Sequence, residues 1–318
     1  MIVICFIVVL IPSLLVIQPL IEASIQGGHR YVFVTKWGDE GSSDKEFKTI
    51  HTIAIDSHEN LYVADSNNGR IQKFDSDGNF ITEWISKGDE DGKLSHPHGL
   101  AFDSLDNLYV TDASKGSIVK FDSNGNYVTK WGSHGTGNGE FDALHGIDID
   151  SSGNVYVADT LNQRVQKFDP EGNFITKWGS YGPGDGQFNV TYGVAIDSSD
   201  NVFISDKNNS RIQVFDINGK FKRSMGYEGS QDGQLIMPED IEIDPLDNIY
   251  VTDTGNSRIQ VFSSEGNFIT NWGSYGTGNG QFEHPHGIAV DSNGNVYVTD
   301  PGLPKIGGNI QKFSPSWQ

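Results

Sequence analysis

Short apolar or alternating runs, separated by turn residues, recur along most of this chain. The stretch from Phe141 reads FDALHGIDIDSSGNVYVADTLNQRVQKFDPEGNFITKWGSYGPGDGQ. Its four runs, HGIDID, NVYVAD, RVQKFD and NFITKW, are rich in Val, Ile, Tyr and Phe. Such side chains suit a pleated surface. Between them stand DSSGN, DTLNQ and DPEGN. These place Asp at a turn start and Gly or Asn where a positive φ is needed. No segment sustains a helical apolar period. Each unit therefore predicts a four-stranded antiparallel sheet, with strands a to d.

The unit repeats every 47 residues. The pattern Val/Ile-Ala/Thr/Ser-Asp ends at Asp65, Asp112, Asp159, Asp206, Asp253 and Asp300. A fixed long period implies a repeat architecture, and four strands repeated radially imply a β-propeller. Six blades start at Phe47, Leu94, Phe141, Phe188, Leu235 and Phe282, and the sixth reaches only strand c, at Phe313. YVFVTKW, from Tyr31, matches NFITEW, with Trp37 falling 47 residues before Trp84. The N-terminal strand is thus expected to complete the last blade. Closure removes the open sheet edges that invite aggregation. The expected fold is all-β, a six-bladed β-propeller over residues 31–318.

Composition narrows the function classes. The chain has 318 residues, net charge −20 and 38 glycines. So acidic a chain argues against nucleic acid, which needs clustered Lys and Arg. The single cysteine is Cys5, so the propeller has no disulfide. Residues 1–21 contain no Asp, Glu, Lys or Arg. Residues 1–23 read as a signal peptide or an uncleaved membrane anchor, followed by a linker at 24–30. A secreted protein is expected, or one on the outer membrane face, touching membrane only through that segment. A monomer is expected. Asn189-Val-Thr and Asn208-Asn-Ser are glycosylation sequons.

VADTLNQRVQKFDPEGNFITKWGS, preceded by HGIDID, resembles the NHL repeat, and the resemblance covers Tyr31 to Phe313. The Asn-x-Arg-Ile/Val-Gln core ends at Gln72, Gln166, Gln213 and Gln260. The resemblance implies a six-bladed propeller. It does not imply one function, because NHL propellers serve as binding platforms and, in a few relatives, as metal-dependent lyases.

Columns shared by all blades read as scaffold. Asp65 and its equivalents are expected to cap the b–c turn and pair with Arg70, Arg164, Arg211 and Arg258. Trp37, Trp84, Trp131, Trp178 and Trp272 are expected to anchor neighbouring blades. One column breaks the symmetry. The start of strand a carries His51, His98, His145, Tyr192, Glu239 and His286. These should ring one mouth of the central channel. Alternate blades offer either His51, His145 and Glu239 or His98, Tyr192 and His286. Two imidazoles and a carboxylate suit a catalytic metal with an open position. Pro97–Gly99 and Pro285–Gly287 resemble the Pro-His-Gly triplets of peptidyl-hydroxyglycine amidating lyases. That resemblance implies zinc at His98 and His286, and at His51 and His145 by repeat position. Streptogramin lyases are a second metal-dependent relative. A divalent metal, Zn or Ca, is the one cofactor expected. Tyr192 and Asp240 are candidate ligand-binding residues. The lengthened b–c loop at 301–309 is expected beside this mouth. The expected function is a binding or interaction module for a protein, peptide or small ligand at the channel-mouth face. The alternative is a metal-dependent lyase or hydrolase.

Overall fold

The computed structural model describes residues 30–85, 92–302 and 307–316. The expected signal segment at 1–23 and loop residues 303–306 lie outside them. Six four-stranded antiparallel sheets form the blades. Blade 3 is representative, with strands at Leu144–Ile149, Val155–Asp159, Arg164–Phe168 and Phe174–Trp178. In blade 6, strand d is the N-terminal Arg30–Trp37, antiparallel to Asn309–Ser316. Chain start and chain end therefore close the ring, as the period predicts. Among the described residues no helix is long and apolar enough to cross a membrane.

Each core cluster lies between two neighbouring blades. Phe141, Leu144 and Val155 of blade 3 pack with Ala101, Tyr109 and Ile118 of blade 2. Trp131 lies against Gly172, where a Cβ would come within 2.6 Å of the indole. The same approach recurs between Trp84 and Gly125 and between Trp178 and Gly219. The tryptophans are inter-blade anchors, and only glycine, at φ +87 in Gly172, fits beneath them.

The Asp–Arg column is internal scaffold. Asp159, fully buried, accepts from Arg164 Nε at 2.6 Å, from Asn162 and Gln166, and from the Asp142 amide. Arg164 then holds the carbonyls of Thr136, Gly137 and Glu140 on the d–a connector. A buried ion pair with four of the five guanidinium donors used positions backbone, and its disruption is costly.

Strand a is the innermost strand, and each packs on strand a of the next blade. In blades 1 to 5 it carries a register shift at the mouth position, as between Ile50 and Ile53 and between Leu144 and Ile147. An extra residue there turns the mouth side chain out of the sheet toward the channel axis. Gly99, Gly146, Gly193 and Gly287 follow mouth residues. A Cβ at Gly99 would lie 2.2 Å from the His145 carbonyl.

Candidate functional site

The mouth column gathers as expected. His51, His98, His145, Tyr192 and His286 line one constriction whose free volume is only 10 Å³. Strand-b hydroxyls hold the ring from behind. Thr111 donates to the His145 carbonyl, Ser205 to that of Glu239, Thr252 to that of His286 and Thr299 to that of His51. Each hydroxyl belongs to one blade and each carbonyl to the next. The same oxygens accept the amides of Gly99, Gly193, Asp240 and Gly287. This explains the Thr or Ser before the shared Asp.

Contacts within the ring differ from either alternating triad. His51 stacks on His98 with centroids 3.9 Å apart, and its Nδ1 lies 3.1 Å from His286 Nε2. His96, two residues before the column, joins them. One donor atom each from His51, His96 and His98 fall within 4.8 Å of one another. His145 packs on both His98, at 4.6 Å, and Tyr192, at 4.1 Å, while its Nδ1 bonds Thr160 at 2.9 Å. Glu239 is fully buried and engaged by Lys207 Nζ at 2.5 Å. Its other oxygen lies 3.3 Å from His286 Nε2 and 3.7 Å from His284. His51, His145 and Glu239 therefore do not converge on one point, and adjacent blades rather than alternate ones bring imidazoles together.

Electrostatics suit a ligand set of neutral imidazoles. Burial, reinforced by His98, His286, His145 and His96, holds His51 well below the usual histidine range. Burial also lowers His96. A neutral imidazole keeps a lone pair for a metal. Tyr192 is pushed well above the usual phenol range by burial and then by Glu239 and Asp240. It stays protonated, and its Oη lies 2.8 Å from His286 Nε2. Lys207 sits over the Tyr192 ring at 4.6 Å.

Below the ring, toward the a–b turns, the channel widens into a cavity of 310 Å³. Asp148, Asp240 and Glu242 are among its six acidic lining residues, with Asp56, Glu59 and Asp291. Asp240 faces both this cavity and the mouth. Burial raises Asp148 and Asp240 to about 7, and Glu242 is raised well above the usual range by burial and then by Asp148, Asp240 and Asp244. Asp148 and Glu242 replace the Ala54, Ala101, Ala195 and Ala289 of the other blades. The period exposes that substitution, while strand alternation by itself marks both positions as solvent-facing. His96 and His284 stand two residues before the column, so the 47-residue period does not mark them. The two sequon asparagines stand side by side on blade 4, with Asn208 Nδ2 3.3 Å from Asn189 Oδ1.

Comparison with known proteins agrees with this architecture. An NHL-repeat model matches residues 47–74, 193–215, 235–262 and 282–302. A six-bladed β-propeller family model matches residues 89–178. Among curated proteins no relative matches the sequence. A protein of unknown function from Bacteroides thetaiotaomicron is similar at TM-score 0.71 and 15% identity, over 91% of this chain and 76% of that one. Virginiamycin B lyase from Staphylococcus aureus is similar at TM-score 0.61 and 13% identity, over 90% and 99%. A gluconolactonase from Xanthomonas campestris is similar at TM-score 0.65 and 13% identity, over 93% of each chain. At such identities these likenesses show the fold alone. Repeat matches, blade count and ring closure agree: the chain is a six-bladed β-propeller with NHL repeats in blades 1, 4, 5 and 6.

Proposed function

We propose that this protein works through the histidine-rich channel mouth, as a binding propeller that presents a divalent transition metal to ligands at that face. The observation that carries this is the convergence of His51, His96 and His98, whose donor atoms fall within 4.8 Å of one another. Three nitrogen donors suit zinc or a neighbouring transition metal and do not suit calcium, which takes oxygen ligands. The contact from His51 Nδ1 to His286 orients the ring, as partners of ligating histidines do. The proposal includes export, which the uncharged N-terminal segment supports.

The test is metal analysis of protein purified from metal-replete medium, beside His51→Ala/His98→Ala. About one equivalent in wild type, lost in the double variant, is expected. Absence of stoichiometric metal from folded wild type overturns the proposal.

A second reading, metal-assisted lyase or lactone-opening chemistry, draws on Tyr192 and His286. A protonated phenol 2.8 Å from an imidazole is a proton donor in place. A bound metal would supply Lewis acidity toward a carbonyl oxygen. Support also comes from a related propeller fold, since a histidine-to-alanine form of virginiamycin B lyase is catalytically inactive. Metal-dependent turnover of a lactone or of quinupristin, lost in Tyr192→Phe, is the expected sign. No turnover by metal-loaded protein leaves the binding reading alone.

A further inference from the structure

At the opposite face from the histidine mouth, the blades share a second pattern. In four blades a strand-c lysine lies over the ring of a strand-b tyrosine. The pairs are Lys73 over Tyr62, Lys120 over Tyr109, Lys167 over Tyr156 and Lys312 over Tyr297, at 4.6 to 5.3 Å. In three of them the ammonium also reaches the aspartate after strand a, at 3.2 Å for Asp56, 3.5 Å for Asp103 and 3.3 Å for Asp150. In two it also donates to a c–d turn carbonyl of the next blade, Ile217 for Lys167 and Ser76 for Lys312. Blade 4 has Val214 at the lysine position, and Arg223 of strand d supplies the cation instead, 5.6 Å over Phe203.

Blade 5 keeps the acceptors and supplies neither cation. The lysine position is Val261 and the Arg223 position is Thr270. Tyr250 and Asp244 remain, with the Tyr250 hydroxyl donating to Asp244 at 3.1 Å. Among the described residues no Lys or Arg forms an ion pair with Asp244. A cavity of 280 Å³ opens there, with mostly apolar walls. Val261, Thr270, Asp244 and Tyr250 all line it, as does Pro315, at the repeat position of Ser76 and Ile217. Tyr31 closes one side, stacked on Trp272 at 4.2 Å and bonded to the Tyr250 hydroxyl at 2.9 Å. This is the closure seam, where two chain ends replace the c–d turn of blade 6.

We propose that this cavity binds an aliphatic ammonium ligand, whose charged head takes the place that lysine Nζ holds in the sibling blades. The chain itself shows the recognition chemistry: an aromatic face and a carboxylate around an ammonium, with the alkyl stem along apolar walls. Net charge −20 favours a cationic ligand. The site is independent of the channel mouth and of any metal there.

The test is titration of the whole protein with n-butylammonium, with n-butanol as the neutral match and Nα-acetyl-lysine N-methylamide as the peptidyl source of the same group. Saturable binding of either amine, on the order of tenfold or more tighter than butanol, is expected. The tighter amine identifies the source. Val261→Lys places the siblings' own lysine in the cavity. It is expected to abolish amine binding, raise the melting temperature and leave metal content at the mouth unchanged. Asp244→Asn is expected to weaken binding by about tenfold or more. Butanol binding as tightly as the amines, no saturation, or unchanged amine binding in folded Val261→Lys would each overturn the proposal.

Discussion

Tyr192 and His286 meet across the channel, Oη to Nε2 at 2.8 Å, although 94 residues and one whole blade separate them. His286 Nε2 is a hub. His51 Nδ1 lies 3.1 Å from it and Glu239 Oε2 lies 3.3 Å from it. One ring nitrogen facing a phenol, an imidazole and a carboxylate can satisfy them only through one tautomer at a time. The mouth is therefore a coupled unit rather than six separate side chains.

Tyr192→Phe removes one partner from that hub. We expect a loss of about 1 kcal/mol in unfolding free energy, the usual net worth of one hydrogen bond. Metal content should stay at the wild-type level, since Tyr192 is not among the three converging donors. Denaturant midpoints and metal analysis on the same preparation check both. Loss of metal in a folded Tyr192→Phe would show that the phenol is itself a ligand.

Glu239 is fully buried against Lys207. Glu239→Gln leaves that ammonium without its counter-charge. A loss of about 3 kcal/mol is expected, the range for breaking a buried pair from one side. Adding Lys207→Met should restore much of it, since the unpaired charge rather than the missing bond carries the cost. A double-mutant cycle in urea measures this, and a double variant no more stable than Glu239→Gln contradicts it.

The acidic cavity makes stability fall as pH rises. Asp148, at about 7 in the fold, holds its proton there and releases it near the ordinary carboxylate range when unfolded. The folded state binds more protons between those values, so stability declines from about pH 4 to pH 7 and stays low above. His51 acts at the acid side in the other sense. Its folded value lies below its unfolded one, so stability drops as pH falls below the ordinary histidine range. Asp148→Asn removes the ionisation and keeps one acceptor for the two amides of Ile149 and Ile196. The variant should be less stable than wild type by about 1 kcal/mol near pH 4. It should be more stable near pH 8, by a net gain on the order of 3 kcal/mol, roughly 4 from a carboxyl raised to about 7 less the roughly 1 lost with the acceptor. Urea midpoints across pH would show the curves crossing, and parallel curves would contradict the assignment.

Glycine tolerance separates backbone strain from crowding. Gly172 and Gly186 both have positive φ, +87 and +72. A Cβ at Gly172 strikes the Trp131 ring, whereas at Gly186 nothing lies within 4 Å. Gly186→Ala should cost about 1 kcal/mol, the backbone strain alone. Gly172→Ala should cost at least about 2 kcal/mol more, because the indole must move in a close-packed core. Equal costs would mean that the tryptophan column is not a tight inter-blade anchor.

Much of the scaffold was legible before folding. Asp159 with Arg164, the DPEGN turn and the Trp131 column each carry a local chemical reason, so repetition alone exposed them. Tyr31 to Trp37 could be placed in the last blade because its side chains match a strand that the end of the chain lacks. The site was legible only in part. Asp148 and Glu242 sit in alternating runs, IDIDS and IEIDP, where a polar residue reads as solvent-facing. On the innermost strand of a ring that outward face is the channel, so alternation loses its usual meaning. His96 lies two residues before the column, and only the turn into strand a brings it back beside His51 and His98.

From the sequence alone came the number of blades, the closing strand and the column that lines the mouth, because each depends on a period or on local turn chemistry. Tertiary structure decided which of those residues meet. The narrow ring, with a bulge at the mouth position of blades 1 to 5, pressed His51 against His98 and His286. It left Glu239 to Lys207 and engaged His145 Nδ1 with Thr160. Partners at the mouth are set by distances across a closed circle. Those distances exist only once Arg30–Trp37 has joined the last blade and the circle is shut.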